Sequence, residues 1–176
     1  MHHIDIFSTP LWIFKREVPE GMYEWALKFE KETPSNIRKS NRGGYQSDAY
    51  GGVKNLPIEY QNYIKDALYE LPRFNFNNWW LNINCKYDYN VPHTHPYSDL
   101  AVVWNITDNH GLLNLRDINA HNRSRLVRAL GINDVYNINA RAGTIIVFPS
   151  DILHYVTPHE SETSRINIAM NLDLVI

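Results

Sequence analysis

Residues 89–96, Tyr-Asn-Val-Pro-His-Thr-His-Pro, place two histidines one residue apart between two prolines, after a run typical of a buried strand. Alternate side chains of an extended chain point to the same side, so His93 and His95 can direct both imidazoles at one point in space. Far downstream, His154 provides a third imidazole near the end of another apolar strand. Three protein ligands that leave open positions are typical of a catalytic metal, so this spacing predicts a catalytic metal site.

The third ligand is open to two interpretations. Oxygenases hold Fe(II) with two histidines and one carboxylate on one face, often as a His-x-Asp/Glu pair, and here His95 occupies the place of that carboxylate. Either His95 completes a three-histidine site, or an acid elsewhere replaces it, and Asp99 is the nearest candidate. A neutral third ligand leaves more positive charge on the metal, which favours anionic co-substrates.

The last predicted strand, residues 165–175, has one polar and one apolar face. Ile166, Ile168, Met170 and Leu172 alternate with Arg165, Asn167, Ala169 and Asn171. The apolar face belongs to a core, and the opposite face would line the interior of a barrel. There the guanidinium would form a bidentate receptor for a carboxylate. Strand alternation adds Asn82, Asn84 and Asn105 as predicted polar groups of the same pocket.

Composition predicts an ordinary globular protein of one domain over residues 1–176. Hydrophobic residues make up 44% of the chain, charged residues 20%, and the formal net charge is −2. This balance gives no electrostatic reason to expect nucleic acid as a partner, and no apolar run approaches the length of a membrane span. The N-terminus lacks the pattern of a signal peptide, and a single cysteine suits a cytoplasmic location. Cys85 alternates with apolar residues and is predicted to be a buried structural thiol.

The order of the predicted elements points to a mainly β fold. Helical patterns over about 19–71 precede a β core over about 78–176, with strands predicted at 78–85, 100–106, 112–115, 144–148 and 165–175. Two helices, at 19–33 and 57–71, would buttress a jelly roll or barrel from outside. The polar, glycine-bearing segment 35–52 is predicted to be a loop and a lid over the site. Residues 117–139 are polar, with a possible short helix near 123–130.

Other polar residues are assigned to the surface. His2 and His3 fall at the terminus, and His110 and His121 lie in polar turns where solvation is favoured. A role for His159, in a loop near the third histidine, is not favoured. Arg116 and Asp117 fit a surface ion pair better than a pocket edge.

Taken together, segments 43–47, 87–96, 143–154 and 165–167 resemble the 2-oxoglutarate- and Fe(II)-dependent oxygenases of marine bacteria and of phages that infect cyanobacteria. The likeness covers nearly the whole chain. It implies a double-stranded β-helix, which is a cupin-like jelly roll, and the use of Fe(II), 2-oxoglutarate and O₂ with succinate and CO₂ as by-products. By position, His93 and His154 would be metal ligands, and Arg165 would pair with the distal carboxylate of 2-oxoglutarate.

The sequence departs from the wider superfamily at two positions. The His-x-Asp/Glu pair is absent, which leaves the third ligand to His95 or Asp99. Asn167 stands two residues beyond the arginine, where many relatives have a hydroxyl residue, and its amide can still donate to a carboxylate.

The leading hypothesis is a dioxygenase that hydroxylates a small molecule or a peptide side chain in the cytoplasm, or in the host cytoplasm if a phage encodes it. The first alternative is a cupin-like enzyme that uses Zn²⁺ or Mn²⁺ as a Lewis acid without 2-oxoglutarate. The second is a non-enzymatic β-sandwich binding module with incidental histidines. The sequence leaves the primary substrate and the oligomeric state open.

Overall fold

The computed structural model describes residues 9–108, 111–118, 129 and 134–175. Two helices, α1 (Met22–Glu32) and α2 (Ile58–Ala67), accompany twelve strands in this part of the chain. The strands are β1 Trp12–Lys15, β2 Asn41–Arg42, β3 Tyr45–Gln46, β4 Tyr50–Gly51, β5 Phe74–Asn84, β6 Tyr89–His93, β7 Leu100–Asn105, β8 Leu113–Arg116, β9 Val135–Ile138, β10 Thr144–Pro149, β11 Leu153–Val156 and β12 Arg165–Leu174.

The strands form two antiparallel sheets. The larger sheet has the order β1-β10-β7-β12-β5-β3, with β4 also paired to β5, and the smaller has the order β2-β6-β11-β8-β9. Consecutive strands of the core, β5 to β12, alternate between the sheets except at β8 and β9, which is the winding of a jelly roll. The predicted mainly β jelly roll with N-terminal helices is confirmed.

The helices cover the outer face of the larger sheet. The apolar residues of α1 and α2, including Met22 and Ile64, share one core cluster with the outer side chains of β5, β7, β10 and β12. Ile166, Ile168, Met170 and Leu172 are all fully buried there, as their alternation in the sequence predicts. Packing of these side chains removes apolar area from water and fixes the register of β12.

The space between the sheets has an apolar part and a polar part. Seven apolar residues form the first, and they come mainly from β7, β8, β9 and β10: Ala101, Leu113, Leu115, Ile138, Ala140, Ile146 and Phe148. The inner face of β12 supplies much of the second, with Arg165 and Asn167 only 1% and 8% exposed. The interior-lining role predicted for this face agrees with the structure.

The predicted polar loop 35–52 is not a free loop. Its three short strands, β2, β3 and β4, pair with β6 and β5, and Asn41 and Ser47 are each 1% exposed. Each of these strands has only two residues, which is too short for an alternating pattern to be recognised among glycine and polar residues. The loop interpretation is therefore wrong for Asn41–Arg42, Tyr45–Gln46 and Tyr50–Gly51, which are strands, but not for the residues between them. A lid movement of the whole segment would have to break strand pairings to both sheets.

Three further predictions require correction or fall outside the description. Cys85 is exposed, because β5 ends at Asn84 and the alternation stops one residue before it. The polar stretch 117–139 contains β9, which pairs with β8. The predicted helix near 123–130 lies outside the described residues, apart from position 129. No helix in the described part of the chain is long and apolar enough to span a membrane.

Candidate active site

The two neighbouring strands β6 and β11 bring the predicted metal ligands together. His93 lies directly opposite His154 in their antiparallel pairing, and His95 follows β6 by two residues. One ring nitrogen from each of the three lies within 4.8 Å of the others, and the centroids of the His93 and His154 rings are 4.2 Å apart. The geometry is that of a three-imidazole cluster able to hold one metal ion.

Hydrogen bonds at Nδ1 determine which nitrogen each histidine presents. Nδ1 of His93 is 2.7 Å from the carbonyl oxygen of Val91, and Nδ1 of His154 is 2.8 Å from that of Ile152. A carbonyl only accepts, so each Nδ1 carries the proton and each Nε2 keeps a lone pair. Nδ1 of His95 lies 2.8 Å from Oδ1 of Asn171, an amide oxygen that also only accepts, so this Nδ1 carries the proton too. Such second contacts orient metal-binding imidazoles.

Burial keeps the three imidazoles neutral. Desolvation lowers the pKa of His154 to about 3 and the pKa of His95 to about 4, and proximity to the other histidines adds to both shifts. Desolvation also lowers the pKa of His93 from its ordinary value of 6.5. The neutral imidazole is the form that binds a metal, so the cluster is ready for an ion at neutral pH without releasing protons.

Asp99, the alternative third ligand, lies elsewhere. Its Oδ2 accepts a hydrogen bond of 2.7 Å from the backbone N–H of Leu174, and its own N–H donates to the carbonyl of Leu172. The carboxylate therefore holds the end of β12. Among the described residues, the group of side chains that could hold a metal ion consists of His93, His95 and His154.

Arg165 lies in the polar part of the interior and has an incomplete set of partners. One amine, Nη2, donates to Oδ1 of Asn90 at 3.3 Å, whereas Nε and Nη1 have no hydrogen-bond partner within the described chain. Burial lowers the pKa of Arg165 to about 10, which the charge of Asp88 partly opposes, so it stays cationic at neutral pH. A buried cation with two free donors fits a bound carboxylate.

Two glycines let the backbone approach this arginine and its counter-charge. A Cβ on Gly111 would lie 2.8 Å from Nη1 of Arg165 and 2.4 Å from the carbonyl oxygen of Thr157. Gly43 has a φ of +74°, and a Cβ there would lie 1.8 Å from Oδ1 of Asp88. Neither site tolerates a side chain without rearrangement.

The predicted asparagines form a row across three strands. Asn167 on β12 lies opposite Asn82 on one side and Asn105 on the other, and Nδ2 of Asn82 donates to Oδ1 of Asn167 at 3.0 Å. Nδ2 of Asn105 donates to the carbonyl of Thr144 at 2.9 Å. Asn84, opposite Arg165, is 1% exposed and neither polar atom of its amide has a partner in the described structure.

A cavity of about 620 Å³ is lined in part by neighbours of the histidine cluster, although none of the three histidines lines it. Leu11, Leu115, Phe148 and Ile152 are among its apolar lining residues. Leu115 lies opposite His154 in the pairing of β8 with β11, and the ring of Phe148 has its centroid 4.9 Å from that of the same histidine. The cavity therefore shares a wall with the cluster.

The edge of this cavity corrects one sequence interpretation. Arg116 pairs with Asp134 at 3.8 Å, and Asp117 donates its backbone N–H to the carbonyl of Asp134 at 2.9 Å. All three line the cavity. Arg116 therefore forms the exposed ion pair that the sequence favoured, but with Asp134 as its partner and not Asp117, and both Arg116 and Asp117 also line the cavity.

Of the remaining five histidines, the structure describes only His159. His159 is 3% exposed, and its Nε2 lies 3.3 Å from the carbonyl oxygen of Asn84, outside the three-histidine group. His2, His3, His110 and His121 lie outside the described residues.

Sequence reasoning missed Asn90, Asn171, Asp88 and Phe148 as neighbours of the site. Alternation along β12 placed Asn171 on the inner face but indicated no contact with His95. Asn90 and Asp88 belong to the quoted motif, yet only the pairing of β6 with its neighbours shows what they face.

The family of the chain follows from a sequence comparison. A family model described as 2OG-Fe(II) oxygenase matches residues 78–171, which is more than half of the chain and includes all three clustered histidines and Arg165. The chain belongs to this family. It is an Fe(II)- and 2-oxoglutarate-dependent oxygenase, and the predicted cofactors are those of the family. Comparison with curated proteins finds no match.

Solved structures share the fold at low identity. A prolyl-4-hydroxylase from Pseudomonas putida aligns over 96% of this chain and 95% of its own, with 12% identity and a TM-score of 0.65. HygX from Streptomyces hygroscopicus, with nickel and 2-oxoglutarate bound, aligns over 96% and 84%, with 8% identity and a TM-score of 0.61. SnoN, an epimerase from nogalamycin biosynthesis that depends on alpha-ketoglutarate, aligns over 94% and 78%, with 10% identity and a TM-score of 0.64. At these identities the likeness concerns the fold.

Proposed function

We propose that this oxygenase is a hydroxylase whose metal is held by His93, His95 and His154. The overall reaction would consume substrate, O₂ and 2-oxoglutarate and yield hydroxylated substrate, succinate and CO₂, which balances in atoms. The iron, when bound, supplies the activation of O₂ that no side chain can provide. The observation that carries the proposal is the combination of two features in one interior: three imidazoles whose Nδ1 hydrogen bonds leave the lone pair on Nε2, and a buried arginine with two donors that lack partners among the described residues.

The protein's own residues would bind and orient the co-substrate. Arg165 offers Nε and Nη1 to the distal carboxylate of 2-oxoglutarate, and burial of the guanidinium away from water strengthens that contact. The amides of Asn82, Asn105 and Asn167 lie in the adjacent row, and they are proposed to contact the same ligand. The buried guanidinium favours this reaction over the cupin-like alternative, which has no use for an anion receptor. Family membership excludes the non-enzymatic binding module.

An anaerobic titration tests the proposal. Metal-free protein receives Fe(II) and then 2-oxoglutarate while visible absorption is recorded. A weak charge-transfer band that requires both additions is the expected result. The band should be lost in His95→Ala and kept in Asp99→Ala, because only His95 lies in the cluster. The reverse pattern would give the third position to Asp99, and iron binding without any band would support the cupin-like alternative.

We propose further that the primary substrate is a small molecule, or one side chain of a peptide, that binds in the cavity. A volume of about 620 Å³ suits a metabolite-sized group. The apolar lining residues Leu115 and Phe148 lie on the side of the histidine cluster, and the charged residues Arg116 and Asp134 lie on the rim. The substrate would therefore present a hydrocarbon part to the metal and keep its polar part at the rim.

Two tryptophan variants and three neutral probes test this substrate site. Leu11→Trp fills the cavity, whereas Ile13→Trp makes the same kind of change two residues away, at an exposed side chain that does not line the cavity. Saturation-transfer NMR with indole and cyclohexanol should show binding to the wild type and to Ile13→Trp, and several-fold less binding to Leu11→Trp. Glycerol, which has little apolar surface, should give little signal with the wild type and with either variant. Equal indole signals from both variants would contradict the assignment.

A cytoplasmic site of action and an origin in marine bacteria or cyanobacterial phages remain proposals. Cys85, which is exposed and forms no disulfide, supports a reducing compartment.

A further inference from the structure

His95 differs from the other two clustered histidines in what holds it. His93 and His154 each donate from Nδ1 to a backbone carbonyl two residues earlier in the chain. His95 donates to a side chain on another strand, Oδ1 of Asn171 on β12, at 2.8 Å. The residue that replaces the usual carboxylate therefore depends on side chains for its orientation.

The hydrogen bonds continue from Asn171 to a carboxylate. Nδ2 of Asn171 donates to Oδ1 of Asn78 at 3.0 Å, and Nδ2 of Asn78 donates to Oδ1 of Asn77 at 2.9 Å. Nδ2 of Asn77 then donates to Oδ2 of Asp173 at 2.9 Å. We call the three asparagines, Asn171, Asn78 and Asn77, the amide chain. It joins His95 to Asp173 by four consecutive hydrogen bonds.

An irregularity in the larger sheet makes this connection possible. Neighbouring side chains of a regular strand point to opposite faces, so Asn77 and Asn78 could not meet. In the pairing of β5 with β12, Asn171 lies opposite Asn78 and Leu172 lies opposite Phe76, which leaves Asn77 as the extra residue of a β-bulge. A bulge changes the direction of a side chain, and here it lets the two amides bond to each other.

The carboxylate fixes the direction of every hydrogen bond in the amide chain. An ionised carboxylate only accepts, so Asn77 must present its NH₂ group to Asp173 and its oxygen to Asn78. The same reasoning passes along Asn78 and Asn171 and ends at His95, whose Nδ1 must carry a proton. The lone pair then lies on Nε2, the nitrogen available to a metal. The other oxygen of Asp173, Oδ1, is buried and has no partner among the described residues.

We propose that Asp173 is a positioning residue that acts through the amide chain. It fixes the tautomer and ring orientation of His95, and its negative charge, relayed by three polarised amides, increases the donor strength of Nε2. The carboxylate absent from the first coordination sphere would thus act from the outer end of a hydrogen-bonded chain. The inference rests on the proposed role of His95 as a metal ligand.

The tautomer of His95 in the metal-free protein gives a direct readout. The ¹⁵N chemical shifts of the two ring nitrogens, measured by NMR at pH 7.5, should show protonation at Nδ1 in the wild type. Asp173→Asn removes the group that can only accept, so a second population with the proton on Nε2 should appear. Asp66→Asn makes the same charge change at an exposed position of α2 and should leave the wild-type tautomer unchanged.

Metal affinity gives the second readout. Cobalt(II) binding, followed by its visible spectrum, should be weakened about 10- to 100-fold in Asn171→Ala, because loss of a direct contact to a ligand has effects of this size. In Asp173→Asn the loss should be several-fold. The double variant Asn171→Asp with Asp173→Asn moves the carboxylate next to His95, and it should restore both the tautomer and most of the affinity.

The outcomes separate this inference from the proposed function. If His95→Ala leaves cobalt affinity unchanged, the ligand assignment is wrong. If His95→Ala abolishes binding while Asp173→Asn alters neither tautomer nor affinity, only the relay is wrong. Asn78→Ala interrupts the amide chain in its middle and repeats the test if Asp173→Asn does not fold. An unchanged tautomer in a folded Asn78→Ala protein would overturn the inference equally.

Discussion

The two faces of β12 have opposite chemistry and opposite consequences. The outer face, Ile166, Ile168, Met170 and Leu172, packs against the helices and the rest of the larger core. The inner face carries the arginine, two asparagines and an alanine of the site. The outer face gains stability from buried apolar area, whereas the inner face buries a charge, and two donors of the Arg165 side chain lack partners among the described residues. In one strand, the packing of the outer face therefore offsets the stability that the polar inner face costs.

The largest expected effect comes from removing a proposed ligand. His154→Ala should weaken cobalt(II) binding by more than about 100-fold, because loss of a ligand exceeds the effect of losing a contact to a ligand. Equilibrium dialysis measures the change. His159→Ala is the matched control: this histidine is also 3% exposed but lies outside the three-histidine cluster, so its removal should leave metal affinity intact. Equal losses in both variants would mean that burial, not ligation, determines the result.

Replacing the arginine should separate binding from stability. In Arg165→Met, 2-oxoglutarate binding to the metal-loaded protein should weaken by about 2–5 kcal/mol, the range for truncating a buried charged partner. The thermal unfolding midpoint of the ligand-free protein should stay the same or rise, because a buried cation with two unpaired donors is replaced by an apolar chain. Titration calorimetry measures the loss of 2-oxoglutarate affinity, and thermal unfolding measures the change in midpoint. A lower midpoint with unchanged ligand affinity would show that Arg165 is structural.

The stability of the metal-free protein should fall in acid because of the inner site. Burial lowers the pKa of His154 to about 3 and of His95 to about 4, below the ordinary 6.5. Below pH 6.5 the unfolded chain binds more protons than the folded one. Each group then lowers the free energy of unfolding by about 1.4 kcal/mol per pH unit, down to its folded pKa. Denaturant titrations at several pH values between 7.5 and 4.5 give the free energy of unfolding as a function of pH. Its decrease with falling pH should be less steep in His154→Leu than in the wild type. Equal steepness in both proteins would contradict the contribution assigned to His154.

Much of the outer fold could be predicted from the sequence, because alternation on a strand with one buried face leaves a clear pattern. Ile166 to Leu172 and the two helices are examples. The histidine cluster could also be anticipated, since a spacing of two places both imidazoles on one side. The same local reasoning could not reveal that Asn171 faces His95 or that Asp99 faces Leu174. These contacts depend on strand register and on the bulge at Asn77, which no local pattern encodes.

The segment 35–52 and Cys85 show two further limits of local reasoning. Strands of two residues have too little alternation to stand out from a polar, glycine-bearing loop, so β2, β3 and β4 were hidden. For Cys85, the alternating pattern continues one residue beyond the end of β5 at Asn84, because the end of a strand depends on where its partner strand stops pairing. Both errors concern where pairing begins and ends, which tertiary contacts determine.

The smallest expected effect tests the outer face alone. Ile168→Val removes one methylene group from a fully buried side chain that packs in the larger core. The free energy of unfolding should fall by about 0.5–1.5 kcal/mol, the usual cost of this change, in a denaturant titration. Cobalt and 2-oxoglutarate affinities should remain at wild-type values, because the inner face of β12 keeps its register with β5 and β7. A loss of ligand affinity together with stability would show that the two faces are coupled through the backbone of β12.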